Sequence, residues 1–380
     1  MRIDAHVHFL PPALQDSLQE FAEQEPFWGM LLYPGGRISK VQGWRSIEQM
    51  LEDMDRAGVD RVVVQSEYRR EHAACIERNN QAIDLVRRFP NQISAFACIQ
   101  PAAGEEAVDE LKRCLDHGLA GVGELHPYGQ GFRFTDQGFL QLAEYCAREA
   151  VPLNLHANES VGHYYPGKSP FPIREYYALA ERFPSLRLIL AHWGGGLFFY
   201  EIMPEVRKVL ANVVYDTAAS PLLYPTSEIF PIALQIVGAH KILYGSDYPL
   251  RLYPRRKGGP DFTSFLDEIH ALGLGTAQEE AVLGGNMQRI LNEEAAGSPV
   301  FDREATSPVD VDIQEIQAGM PLRAVVSRFP ETRDVFARYG IPWSDNPVPS
   351  WEPIEQAACA RGFAAAKLQR LLDDLNAAIS

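Results

Sequence analysis

Asp4, His6 and His8 open the chain within the run Met1-Arg2-Ile3-Asp4-Ala5-His6-Val7-His8-Phe9. In a β-strand, residues two apart leave the same face, so His6 and His8 project as a parallel pair. Two neighbouring imidazoles can chelate one divalent cation, and a strand end holds them rigidly. Glu124, His156, His192 and Asp247 each close an apolar run farther along the chain. Six donors at strand ends describe a metal centre if one architecture gathers them. A divalent ion there lowers the pKa of water toward about 7 and polarises carbonyl or phosphoryl oxygens.

The elements that must position these residues repeat. After the first strand, β-branched or apolar runs occur at 61–65, 93–99, 121–125, 152–156, 186–192, 213–217 and 242–247, making eight. Most are separated by about thirty residues, the length of one βα unit. Nearly continuous apolarity implies burial on both faces, as in a parallel sheet covered by helices. Ser46 is placed to N-cap one helix that Gly58 closes, and further helices are predicted at 105–117, 136–150, 173–183 and 261–272. Phe89-Pro90 and Phe183-Pro184 mark helix exits. The pattern predicts an α/β fold, a (β/α)8 TIM barrel, with its active site at the carboxyl ends of the strands. Residues 11–44 form an insertion over that face, with a lid or simple packing as its two readings.

Composition narrows the function classes. A net charge of −15 disfavours nucleic acid, whose phosphates need a basic surface. No run of about 18 apolar residues occurs, and no basic-then-apolar segment begins the chain, so no membrane partner and a cytoplasmic location are expected. Cys75, Cys98, Cys114, Cys146 and Cys359 include no C-x-x-C pair and read as five buried thiols in a reducing compartment. The expected partners are a small-molecule substrate and a second copy of the chain in a homodimer.

Asp4-x-His6-x-His8, Leu155-His156, Ala191-His192-Trp193-Gly194-Gly195-Gly196 and Gly245-Ser246-Asp247-Tyr248-Pro249 together resemble the amidohydrolase superfamily. Within it, the likeness is to the amidohydrolase-related group that includes aminocarboxymuconate-semialdehyde decarboxylase, aromatic-acid decarboxylases and several lactonases. It covers residues 1–292, where Gly285-Asn286-Met287-Gln288-Arg289-Ile290-Leu291 is similar to the family's closing helix. The resemblance implies a metal held by His6, His8, His156 and Asp247, with His192 as acid/base or as ligand to a second ion. Glu124 departs from the decarboxylase pattern, because Gly123-Glu124-Leu125 resembles the bridging glutamate of TatD-type nucleases. A carboxylate between two cations about 3.5–4 Å apart neutralises charge and fixes their separation. On this reading His6, His8 and Asp247 take one ion, His156 and His192 a second, and Glu124 lies between them. The mononuclear alternative leaves His192 free as a base. Zinc is the expected ion, and manganese or iron suits the same donors.

The reaction expected from such a site is hydrolysis of a C–N or C–O bond in a small amide, ester or lactone, with or without a carboxylate, by activated water. Asp247 would carry the proton and His192 would steady the oxyanion. Two other readings stay open: metal-dependent nonoxidative decarboxylation of a small unsaturated or aromatic acid, and a non-catalytic metal-stabilised scaffold. For substrate contacts the loops offer Arg69 and Arg70, Arg251, Arg255 and Arg256, and Tyr164, Tyr165 and Lys168. Arg69, Arg251 and Tyr164 lead, the arginines as bidentate carboxylate clamps. His126 precedes Pro127 and reads as a supporting or loop histidine. His72 and His163 lie in rim loops within reach of a substrate, and His117, His240 and His270 have no assigned role.

The tail reads as a separate unit. Residues 293–308 have linker composition, and 309–380 read as a small helical domain with amphipathic helices at 323–339 and 355–379. Met320-Pro321-Leu322, Phe329-Pro330-Glu331-Thr332 and Tyr339-Gly340-Ile341 resemble a small domain of unknown function found beside hybrid-cluster and other redox proteins. Its C-x-x-C is missing here, with Trp343 and Asn346 in that region, so thiol chemistry is not expected. Trp343 and Trp351 are the contact residues offered for docking.

Overall fold

Parallel strands form at the centre of each apolar run, where both faces are buried. A computed structural model describes residues 1–292, 315–320, 322–342 and 353–379. Among these the strands are β1 (Ile3–Val7), β2 (Arg61–Val64), β3 (Ile93–Ala95), β4 (Val122–Leu125), β5 (Leu153–Leu155), β6 (Leu188–Leu190), β7 (Val213–Asp216) and β8 (Ile242–Leu243). They hydrogen-bond in the orders β1-β2-β3 and β4-β5-β6-β7-β8. The parallel bridges Ala97↔Val122 and Val7↔Tyr248 join the two sets at both edges, so the strands close into the expected barrel. The strands are shorter than the apolar runs because the last residues of each run, such as 191–192 and 245–247, turn out of the ladder into the site.

Ile3, Ala5, Val63, Phe96, Ile189, Val214 and Leu243 form an apolar plug in the barrel interior. Above them the buried residues become polar: His6, Gln65, Asn154 and Asp216 are all 0% exposed. A larger apolar layer lies between the strands and the outer helices. Ser46 caps the helix Ile47–Ala57 with a reciprocal box to Gln49, and Gly58 ends it at φ 66°. The insertion is more ordered than its composition suggests. It holds the helices Leu18–Gln24 and Pro26–Leu32, each seven residues long and too short to show a helical period. Phe27, Trp28 and Leu32 pack with Leu10, Tyr68, Cys75 and Cys98.

One expectation about the cysteines is corrected. Cys75, Cys98, Cys114 and Cys146 are buried, but Cys359 is exposed.

The chain divides into two compact units, Met1–Pro308 and Val309–Ser380. In the second, each of the two expected helices is broken. Pro330 cannot donate a backbone N–H, and the first splits into Leu322–Arg328 and Thr332–Arg338. Gly362, at φ 70°, separates Ile354–Cys359 from Ala365–Ile379. Leu322, Val325, Val335, Phe336, Ile354, Leu371 and Leu375 form this unit's own core. The expected linker 293–308 and Trp343, Asn346 and Trp351 lie outside the described residues. Among the described residues no helix is long and apolar enough to cross a membrane.

Candidate metal centre

His6 and His8 lie on the inner face at the end of β1, with their Nε2 atoms 3.2 Å apart. His6 Nδ1 is 2.8 Å from Asp216 Oδ2, and His8 Nδ1 is 2.9 Å from the Gln65 carbonyl oxygen. Both partners are acceptor oxygens, so each Nδ1 donates outward and each Nε2 is left facing the other. Two lone pairs at that distance repel unless a cation lies between them and the neighbouring carboxylate. Glu124 Oε2, 3.6 Å from His6 Nε2 and 3.7 Å from His8 Nε2, completes the first donor triad.

The second triad uses the other oxygen of the same carboxylate. Glu124 Oε1 is 2.9 Å from His156 Nδ1 and 3.4 Å from His192 Nε2. His192 directs Nδ1 to the Ala218 carbonyl at 2.9 Å, which leaves its Nε2 for the site. In each triad the donor atoms lie within 4.8 Å of one another. Imidazole plus carboxylate is a donor set for a divalent transition metal, so the residues present fit such an ion. Asp247 spans the first triad and His192, with Oδ1 3.3 Å from His8 Nε2 and Oδ2 3.9 Å from His192 Nδ1.

Charge in this cluster is strongly polarised. Burial alone would raise the Glu124 carboxyl, yet His156 and His6 hold it well below the usual carboxylate range. Burial opposes charge on His6, but Asp216 and Glu124 outweigh it and raise that ring well above the ordinary histidine value. His192 is likewise lifted against burial, to about 9, chiefly by Glu124. Asp247 stays below its usual range because His8 outweighs burial. The carboxylates therefore demand positive charge at the ring nitrogens, whether protons or a metal supply it.

Backbone shape places these groups. Gly123 has φ 139°, and a Cβ there would come 2.7 Å from Asn154 Cβ and its carbonyl oxygen, so only glycine lets Glu124 enter at this level. His192 and Asp247 both take left-handed backbone, φ 55° and 65°. Asp247 N donates to the His6 carbonyl at 2.8 Å, and His192 N donates to Asp216 Oδ1 at 3.0 Å. Asp4 accepts from the backbone N of His6 (3.0 Å) and of Ser246 (3.1 Å), tying β1 to the segment after β8. Burial pushes the Asp4 carboxyl up to about 7.

A cavity of about 380 Å³ opens over the cluster, within the size range of small-molecule sites. Its walls include Leu10, Trp28, Val41, Tyr68, Leu222 and Leu250, and His8, Glu124, His156, His192 and Asp247 reach it as well.

The structure thus brings together His6, His8, Glu124, His156, His192 and Asp247. It does not bring Arg69, Arg251 or Tyr164 to the cavity wall, which contains no arginine or lysine among the described residues. Arg69 donates to the carbonyls of Glu67 and Tyr68 and lies over the Phe21 ring. Arg251 reaches the Lys40 carbonyl, and Tyr164 is 77% exposed. Lys168 on loop five pairs with Glu159 at 3.0 Å, and Arg256 after β8 lies 3.6 Å from Glu268. His163 and Tyr165 do line the cavity, whereas His72 starts the helix His72–Arg88 outside it.

Two residues matter more than their sequence context suggested. His126 is buried, stacks on His156 at 4.2 Å between ring centres, and accepts at Nδ1 from Gly129 N (2.9 Å). Asp216, at the end of β7, contacts His6 and the His192 backbone. Its only signal in the sequence was a carboxylate ending an apolar strand.

The sequence model of the amidohydrolase family matches residues 3–292. Solved structures that share the fold include a 5-carboxyvanillate decarboxylase from Novosphingobium aromaticivorans, complexed with manganese and 4-hydroxy-3-methoxy-5-nitrobenzoic acid. It is 13% identical over 77% of this chain and 96% of that one, with a TM-score of 0.59. The 5-carboxyvanillate decarboxylase of Sphingomonas paucimobilis is 15% identical over 77% and 98%, with a TM-score of 0.59. The 2,6-dihydroxybenzoate decarboxylase from Rhizobium is 17% identical over 77% and 99%, with a TM-score of 0.53. At these identities the likeness carries the fold.

Proposed function

The chain belongs to the amidohydrolase family, and on that premise we propose a divalent-metal-dependent hydrolase cleaving a C–N or C–O bond in a small amide, ester or lactone. The observation that carries this reading is Glu124, whose two oxygens serve two separate donor triads. His6, His8 and Asp247 would hold one divalent ion, expected to be zinc, and His156 and His192 a second, with Glu124 offering an oxygen to each. Bound ions of this kind supply Lewis acidity toward a carbonyl and make water acidic near neutral pH.

The chain's own groups supply the rest. Asp247 takes a proton at Oδ1 or Oδ2 and returns it to the leaving group. His192 has its Nδ1–H committed to Ala218, so its Nε2 acts as a lone-pair donor rather than as a hydrogen-bond donor to an oxyanion. Trp28, Tyr68 and Leu250 line the cavity with apolar surface that suits a flat, largely apolar substrate body. With no arginine or lysine on the wall among the described residues, a substrate carboxylate would have to be met at the cation cluster itself.

That last feature, and the solved structures named above, support a second reading at least as strongly: decarboxylation of a hydroxylated aromatic acid. The comparisons lean toward it, since the named enzymes are decarboxylases and one holds manganese. Metal-loaded protein assayed against lactones and carboxylic esters, and for CO2 release from 2,6-dihydroxybenzoate and 5-carboxyvanillate, separates the two. Ester or lactone turnover that collapses in Glu124→Gln supports the hydrolase. CO2 release that survives Glu124→Gln makes the protein a lyase working on one ion.

A further inference from the structure

We propose that Asp216 is a positioning residue that sets which nitrogen of His6 faces the first cation and seats His192 beside the second. This rests on the two-cation reading above. Asp216 is 0% exposed at the end of β7. Its Oδ2 accepts from His6 Nδ1 at 2.8 Å, and its Oδ1 accepts from the backbone N of His192 and of Ala218, both at 3.0 Å. Asn154 Nδ2 approaches Oδ2 at 3.5 Å. The Ala218 carbonyl in turn receives His192 Nδ1. One carboxylate therefore touches a side chain of the first triad and the backbone of the second.

The bland explanation is a turn carboxylate that caps Ala218 N two residues on. That role needs Oδ1 alone. It leaves the 2.8 Å Oδ2 bond to His6 unexplained, and burying a carboxylate with no lysine or arginine hydrogen-bonded to it among the described residues is costly. Fixing the proton on His6 Nδ1 keeps Nε2 free as a ligand. Holding His192 N stabilises the left-handed backbone, φ 55°, that turns this ring into the site.

The geometry makes Asp216→Asn an unusually specific probe. The two backbone N–H groups hold the amide oxygen at the Oδ1 place, so the amide NH2 must face His6 Nδ1. The NH2 donates, His6 Nδ1 becomes an acceptor, and the ring proton moves to Nε2, the nitrogen required by the first ion. His192 keeps its seat.

The test measures zinc per chain by elemental analysis after dialysis against buffered free zinc. It is paired with 15N-histidine NMR of metal-free wild type and variant, and with thermal unfolding. Two ions are expected in wild type. In Asp216→Asn one ion should be retained and the other weakened by about 10–100-fold, with His6 shifted to the Nε2–H form. Equal zinc affinity at both positions in the variant overturns the proposal. So does a neutral His6 that carries its proton on Nε2 in the wild type, read at a pH high enough to discharge the ring, a result that stands even if the variant does not fold. A wild type holding a single ion refutes the two-cation reading instead, and the His6 tautomer then decides the role of Asp216 separately.

Discussion

Stripping the metal should make this protein lose stability as pH rises from 6.5 to 9. In the metal-free site burial opposes a charged His192, but Glu124 outweighs it and lifts the ring from 6.5 to about 9. Within that window the folded chain keeps a proton that the unfolded chain has released. The stabilisation is complete below pH 6.5 and is lost progressively up to pH 9. At about 1.4 kcal/mol per pKa unit, the shift corresponds to about 3 kcal/mol. His6 and His8 are raised as well and act in the same direction. The assay is urea unfolding of chelator-treated protein at half-unit steps of pH, with extrapolation to water at each step. Saturating zinc should abolish the decline, because the ion occupies the nitrogens that the protons held. Glu124→Gln should reduce it, since the largest opposing influence on His192 is gone. A flat metal-free profile between pH 6.5 and 9, or an undiminished decline in Glu124→Gln, would refute the electrostatic account of the cluster.

Three further outcomes follow from particular contacts. Asp247→Asn should lower kcat by about 10²–10⁴-fold, and turnover within a few-fold of wild type would remove Asp247 as the proton carrier. Lys241 donates to both oxygens of buried Glu201 at 2.7 Å and to the Leu210 carbonyl at 2.8 Å. Among the described residues Lys241→Met leaves that carboxylate with only the Tyr215 hydroxyl as a hydrogen-bond partner, and should cost about 3–5 kcal/mol in denaturant unfolding. The double variant with Glu201→Leu should recover most of the loss, and failure to recover it would mean the pair is not the cause. Gly123→Ala should cost about 1–3 kcal/mol by overpacking against Asn154, with zinc affinity falling in parallel because Glu124 follows directly. Unchanged zinc affinity would show that this backbone does not set the Glu124 position.

Much of the fold was legible because its signals are local. Eight apolar runs, the Ser46 cap and the Gly58 stop are periodicities and capping chemistries readable within a few residues. The tail misled where one apolar stripe ran across Pro330 and Gly362, since continuous amphipathicity does not reveal a break in the backbone. His6, His8, Glu124, His156, His192 and Asp247 were also legible, because ligand-type residues at strand ends must meet at one rim once the strands close into a barrel.

What remained hidden depended on distances between segments far apart in the chain. Arg69 and Arg251 lie in the loops that the sequence indicated, but the cavity is walled by apolar and aromatic groups and both guanidinium groups bind backbone carbonyls instead. Nothing near Asp216 announces that its two oxygens reach a ring 210 residues away and a backbone amide 24 residues away. Residue type and spacing determined which donors face the barrel mouth. Tertiary structure alone decided which nitrogen of His6, His8 and His192 is free and which carboxylate or carbonyl oxygen holds the other, because a tautomer is set by the hydrogen bond on the opposite side of the ring.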